Sequence, residues 1–478
     1  MSYGTVPSDE VITIVSPEMK IAIASVPPAD DAPMSPASYG DVSGKIYGDD
    51  SPLLNNPSPE SAAEEATALI NPPIIGSAAA AIAATPKSSN FRAWGNMMKS
   101  FIGSGVLGLP FAFKLGGLVA ALAVFPLICC ICAYTMFILV DAKRFCADRG
   151  VCTYGGVGRA AFGRVGGIIV NTALLSYQIG CCCTYQIFIS SNMNMFVPSI
   201  DGRIWIAIFL TAFIVVAMNR SLKFLAPFSL VANLLIFGGL TIFLISSIVT
   251  KETPIDWHDI SLFNWAQFPL FFGITIYAFE GTGLVIPIEA TMKTPMKYKS
   301  LLASVLATVC AIYMLFGGLL YVLFGSQTNR IISRNFPDGP LKVIVVIIFM
   351  ICLFVTYQLM IFPVFEAFDR MRWMKRPAGW KFKVKSCVMR ACLVVVTALL
   401  AALIPDFAAF VSLVGASAGT CISFLFPPLL HYKIMRKSLP LWRKVADWAL
   451  MGFSLVVLCL CTGTTIVDII EGGGGEGG

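Results

Sequence analysis

Charge is what this sequence has least of. Asp, Glu, Lys and Arg make up 13% of its 478 residues, against about 25% in an ordinary soluble domain. Apolar residues reach 57%, with a mean hydropathy of +0.78. So much apolar surface cannot all be hidden in one globular core, which excludes a soluble protein and makes lipid the expected solvent. Histidine is also nearly missing. His258 and His431 stand far apart in sequence, so no zinc constellation of His and Cys can be assembled. No nucleophile–base cluster appears either, and neither an enzyme, a metal, a cofactor nor a nucleic-acid partner is expected. A basic n-region followed by an apolar h-region is lacking at the start, so no cleaved signal peptide is read.

The first 88 residues differ from the rest. "DVSGKIYGDDSPLLNNPSPESAAEEAT" is rich in Ser, Pro, Asp and Ala without periodicity, a composition that does not repay its ordering entropy. We expect a disordered tail over 1–88, a membrane-embedded helical domain over 89–470 and a flexible glycine-rich end over 471–478.

Crossing a bilayer takes roughly 20 apolar residues. Eleven such stretches lie near 92–117, 119–140, 165–191, 203–218, 224–249, 266–291, 299–324, 341–366, 387–405, 407–431 and 445–469. With the amino terminus in the cytosol, the cytosolic loops collect 23 Lys and Arg, including Lys143, Arg144, Lys293, Arg390 and Arg443, and the opposite loops only six. Positive charge stays inside, so an internal amino terminus and a non-cytosolic carboxyl terminus are expected. None of the 15 cysteines falls in a non-cytosolic loop, which excludes external disulfides. Most sit in spans, as small soft packing residues.

Two spans contain poor helix formers. "FIGSGVLGLP" (101–110) holds three glycines, a serine and a proline, and "YAFEGTGLVIPIEA" (277–290) holds two glycines, a threonine, a proline and Glu280. Unpaired backbone in lipid costs several kcal/mol per group, so such breaks survive only where they line a cavity. Interrupted helices in matching places of two halves point to a transporter's substrate site. Span 10, "SLVGASAGTCISF", carries the same small residues, for which close helix packing is the simpler reading.

"NMMKSFIGSGVLGLPFAFKLGG", "FEGTGLVIPIEATMKTP" and "IPDFAAFVSLVGASAGTCISFLFPPLLHY" resemble the first, sixth and tenth helices of the amino acid/auxin permease family. The resemblance runs over most of 90–470, and its nearest branches are the vacuolar amino acid transporters and the animal proton-coupled amino acid transporters. It implies an all-α integral membrane protein with the LeuT-like 5+5 inverted repeat and eleven transmembrane helices. It also implies proton-driven transport of amino acids, neutral ones expected, across a vacuolar, lysosomal or plasma membrane. In the animal branch a histidine precedes the lysine of the first motif by three residues. Here that position is Asn96, so any proton must be handled elsewhere.

Free N–H groups around Gly103, Ser104 and Gly105, at the start of the half-helix beginning near Val106, suit a substrate carboxylate. Carbonyls near Ile102 and Phe279 suit its ammonium, with Tyr277, Phe279, Gly281 and Thr282 completing the site. Glu280 is an acid at membrane depth and a functional candidate by default. Desolvation favours a neutral carboxyl, which suits a proton carrier; the other reading is a cap on the second half-helix. Glu289 and Lys293 at i,i+4 read as an exposed pair. Lys99, Glu366 and Asp369 are candidates for a cytosolic gate, with a snorkelling Lys99 as the alternative. Sodium coupling would need hydroxyls of span 8, where Thr356 stands without a neighbouring Ser or Thr. A sensor that binds amino acids with little transport is the alternative of another class.

Overall fold

The computed structural model describes residues 89–146, 151, 153–219, 222–250, 255–369 and 380–471. The tail expected over 1–88 and the glycine-rich end from 472 lie outside the described residues. Everything described as regular structure is helical: α1 (Asn90–Phe101), α2 (Gly105–Gly116), α3 (Leu118–Phe145), α4 (Tyr154–Phe196), α5 (Gly202–Ala217), α6 (Leu222–Val249) and α7 (Phe268–Phe279). Then come α8 (Thr282–Thr291), α9 (Tyr298–Phe324), α10 (Pro340–Asp369), α11 (Trp380–Leu403), α12 (Phe407–Val414), α13 (Phe426–Met435) and α14 (Leu441–Ile470), with short 3₁₀ turns between some of them.

Among the described residues, eight helical stretches are long and apolar enough to cross a membrane, and α2, α5 and residues 234–249 are shorter apolar helices. This is a multi-pass membrane protein. Its outer faces are apolar, as contact with lipid requires: Val249, Leu403, Leu441 and Ile470 are all largely exposed.

Local chemistry sets the helix ends. Ser89 Oγ accepts from Arg92 N, Thr153 Oγ1 from Gly156 N, and Asp406 Oδ1 from Ala409 N. These bonds satisfy donors that the first turn leaves orphaned. Between α2 and α3 the chain turns at Gly117, whose φ of 81° and approach to the backbone of Phe263 leave no room for a side chain. The expected start of the third span at 165 corresponds to a break inside α4 at Phe162 and Gly163, where φ is 66° at the glycine. Arg159 therefore lies on a helical segment rather than in a loop. Arg390, counted above with the loop charges, is a buried residue of α11.

In the bundle α3 packs on α9, α4 on α10, α5 on α11, and α10 also on α6. The stretches from α7 to α8 and from α12 to α13 are each 67% buried over their most apolar window, against 22% for α14. The interrupted helices thus lie at the centre and α14 at the edge. Between α12 and α13 the helix is wound as π over Gly415–Gly419 and Cys421–Leu425. Gly415 lies directly on the Gly273 carbonyl and 2.9 Å, by its Cβ direction, from Tyr277 Cβ. The small residues of this span therefore serve close packing against α7, as the sequence suggested.

Candidate functional site

Helix α1 stops at Phe101. Ile102 still donates to Met98 O at 3.1 Å but takes an extended conformation, φ −84° and ψ 97°. The first bonds of α2 run from Val106 N to Gly103 O (3.4 Å) and from Leu107 N to Ser104 O (3.1 Å). Among the described residues the N–H groups of Gly103, Ser104 and Gly105 donate to nothing, and the carbonyls of Ile102 and Phe279 accept nothing. Ser104, first in line to cap α2, makes no capping bond and instead places Oγ 2.9 Å from the Tyr277 hydroxyl. Two more tyrosines hold the ends of the half-helices. Tyr313 donates to Phe101 O at 2.6 Å and Tyr177 to Tyr277 O at 3.1 Å.

The second break is closed differently. Glu280 is extended, φ −70° and ψ 127°, and its Oε1 accepts from Thr282 N at 3.0 Å, with the Gly283 N–H beside it. The side chain thus sits as a cap on the half-helix α8, one of the two roles read from the sequence. Thr282 Oγ1 lies 3.1 Å from Ser423 Oγ in the π-wound stretch. The two breaks touch each other. A Cβ on Gly105 would stand 2.9 Å from Ala278 Cα, and one on Gly281 would meet the Phe101 ring. Ile102, Gly103, Ser104, Gly105, Val106, Tyr277, Phe279, Glu280, Gly281 and Thr282 thereby converge at the two breaks, where α2 packs on α7.

The gate candidates are not joined. Lys99 lies in the last turn of α1 and forms no ion pair with Glu366 or Asp369. Asp369 Oδ2 is 3.0 Å from Arg390 Nη2, and that guanidinium lies 4.8 Å from the centre of the Phe365 ring. The expected Glu289–Lys293 pair is overturned. Glu289 is only 2% exposed and bonds Lys143 Nζ (2.5 Å) and Arg144 Nε (3.0 Å) from the end of α3, while Lys293 is exposed. A buried carboxylate takes cations from another helix because its own turn offers none at that depth.

Sequence reasoning also missed a buried pair. His431 Nδ1 of α13 lies 2.8 Å from Asp447 Oδ2 of α14, both side chains fully buried. His431 was seen only as too remote from His258, and nothing in the sequence linked it to Asp447.

A membrane bundle whose two interrupted helices meet at unpaired backbone groups has the build of a solute transporter. The chain belongs to the family described as transmembrane amino acid transporter protein, whose family model matches residues 86–470. This bears out the amino acid/auxin permease resemblance. It is 28% identical over 405 residues to the amino acid transporter AVT3B of Arabidopsis thaliana, covering 81% of this chain and 95% of that one. To vacuolar amino acid transporter 3 of Saccharomyces cerevisiae it is 31% identical, over 73% of this chain and 52% of that one. To the proton-coupled amino acid transporter-like protein pathetic of Drosophila melanogaster it is 28% identical, over 79% and 84%. Among solved structures it is similar to MhsT in complex with L-phenylalanine, at 15% identity and a TM-score of 0.46 over 80% of this chain. The protein is thus an amino acid transporter of the membrane by family, and not of an enzyme family.

Proposed function

We propose that this chain is a secondary active transporter of neutral amino acids, coupled to protons and working by alternating access around the broken helices α1–α2 and α7–α8. The observation that carries the reading is the group of unpaired N–H donors at Gly103, Ser104 and Gly105 with the unpaired carbonyls of Ile102 and Phe279. Donors at a helix N-terminus suit a carboxylate, and carbonyls at a helix C-terminus suit an ammonium. Together they match the part common to all amino acids. The side chains that hold the breaks, Ser104, Tyr177, Tyr277 and Tyr313, are uncharged, which fits a neutral substrate.

An architecture of eleven spans in a LeuT-like 5+5 inverted repeat is part of the proposal. The contacts of α3 with α9, α4 with α10 and α5 with α11 support it, because each pairs a span with the one five places later. The amino terminus is placed in the cytosol and the carboxyl terminus across the membrane by the lysine and arginine bias. The name of the yeast relative favours a vacuolar membrane.

Glu280 is the proposed proton carrier. Protonation would remove the carboxylate charge from the N-terminus of α8 and weaken that cap, tying proton binding to the second break. The Drosophila relative's name supports protons as the coupling ion. Sodium is disfavoured because Thr356, the candidate hydroxyl of α10, stands without a neighbouring Ser or Thr to complete an oxygen cage. The gate role of Lys99 with Glu366 or Asp369 would require a rearrangement that first releases Asp369 from Arg390. The test is counterflow of labelled neutral amino acids in proteoliposomes, followed by uptake under an imposed pH gradient. Exchange with gradient-driven accumulation is expected. Protein that exchanges no amino acid would overturn the reading.

A further inference from the structure

Outside the breaks, the most unusual group in the bundle is His431 of α13 with Asp447 of α14. Both side chains are fully buried and their Nδ1 and Oδ2 lie 2.8 Å apart. Among the described residues, the outer atoms of the pair, His431 Nε2 and Asp447 Oδ1, find no hydrogen-bond partner, and neither does the buried hydroxyl of Tyr134 on α3. Tyr134 lies within electrostatic reach of Asp447, Arg443 and Asp141. On α4, the Tyr154 hydroxyl is engaged on Ile422 O at 2.7 Å. Lys433, on His431's own helix, points away and lies over the Phe162 ring at 5.4 Å.

With Nε2 carrying its own hydrogen and a further proton between Nδ1 and Oδ2, the pair is neutral overall. Without it a carboxylate remains buried with no cation in contact, and an uncompensated buried charge is strongly destabilising. Occupancy by one proton therefore changes the net charge of a dry site, whose Nε2–H and Oδ1 have no partner among the described residues. The site is not deep. At 1.5 Å per residue, His431 and Asp447 lie roughly 6 and 9 Å from the ends of their helices at Met435 and Leu441. The same helix run reaches the substrate region, since α13 follows the π-wound stretch whose Ser423 bonds Thr282 at 3.1 Å. π-wound turns inside α-helices are frequent at functional sites.

We propose that His431 and Asp447 form a proton-binding site separate from Glu280, whose occupancy sets the packing of α13 on α14 and through Ser423 the second break. It rests on the transport reading given above for its effect, but not for the binding itself.

The test compares wild type, His431→Gln, Asp447→Asn and the double variant His431→Leu/Asp447→Leu. Replacing both members of a buried pair with apolar residues is often neutral or stabilising, so the double variant covers the case where single variants fail to fold. Exchange of labelled amino acid is measured in proteoliposomes between about pH 5 and 8. A one-proton step changes the rate by at most about tenfold per pH unit. The proposal expects that step in wild type and an altered pH profile, in midpoint or size, in every foldable variant of the pair. Variants that lose rate uniformly but keep the wild-type pH profile would overturn it and leave a structural role.

A second readout needs no transport. Trp448 adjoins Asp447 and stacks edge-on with Tyr432, next to His431, at 5.5 Å. A pH-dependent tryptophan emission change that vanishes in both Trp448→Phe and the double variant is expected. The same change persisting in the double variant would overturn the site even if wild type moves no amino acid. Absence of exchange with the emission change intact would instead sink the transport reading alone.

Discussion

At the first break the N–H groups of Gly103, Ser104 and Gly105 have no acceptor among the described residues, whereas at the second Glu280 Oε1 holds Thr282 N at 3.0 Å. Both breaks use glycine and both lie against each other, yet one keeps its helix N-terminus open and the other carries its own anion. The difference assigns separate tasks. An open N-terminus is a place for a substrate carboxylate. A self-capped one is a place where adding a proton changes structure. If that division holds, substitutions at the two breaks should fail in different ways.

The largest effect belongs to the backbone contact itself. Gly105→Val puts a branched side chain where even Cβ stands 2.9 Å from Ala278 Cα, and backbone cannot yield as a side-chain tip can. Loss of exchange and of gradient-driven uptake together is expected, below about 1% of wild type, as in the loss of several kcal/mol. Gly281→Val meets the Phe101 ring instead and should be less severe, because a ring can turn. Equal loss in both would remove the distinction between backbone and side-chain neighbours.

Next comes Glu280→Gln. The amide keeps an acceptor oxygen for Thr282 N, so the cap weakens by only about 1 kcal/mol. Exchange should survive, while accumulation against a pH gradient is lost. The measurement is the ratio of the two in one preparation. A Gln variant that still concentrates substrate in response to pH would leave the capping role and end the proton-carrier role.

A smaller effect is expected at Ser104. Its hydroxyl bonds Tyr277 at 2.9 Å, and a net hydrogen bond contributes about 0.5–1.5 kcal/mol. Ser104→Ala should raise the half-saturation concentration about 2- to 10-fold. Tyr277→Phe should do the same, and the double substitution little more, since both remove one bond. Full additivity would show that the two hydroxyls act separately, with Ser104 on the ligand.

What the sequence made legible was local. The breaks were readable because glycine, serine and proline are costly inside a membrane helix, and the site residues named from them do converge. The capping option for Glu280 followed from its place beside a half-helix. The partners of Glu289, Arg390 and His431 were not readable, because each is supplied by another helix. Lys143 is 146 residues from Glu289, and i,i+4 spacing pointed to Lys293 instead. The π winding of Gly415–Gly419 was likewise hidden, since small residues show that a neighbour comes close but not how the helix winds to meet it.

The smallest effect sharpens the comparison from the side of the coupling ion. A sodium site would borrow carbonyls from the first break and hydroxyls from α10, competing for the groups assigned above to the substrate ammonium. Thr356, the hydroxyl placed for that role, donates to Cys352 O at 2.7 Å within its own helix. Such a back-bond is a common way for threonine to sit in a helix and contributes little to fold stability. Thr356→Val keeps the shape and removes only the oxygen. Uptake should therefore stay within about twofold of wild type, the range of an exposed or self-satisfied hydroxyl. Replacing sodium by potassium on both sides of the liposome should also leave it unchanged. A sodium requirement that disappears in Thr356→Val would show that the free carbonyls of the first break hold a cation rather than an ammonium. The open and self-capped breaks would then have to be reassigned, with the substrate carboxylate still at Gly103–Gly105 but its charge balanced by sodium.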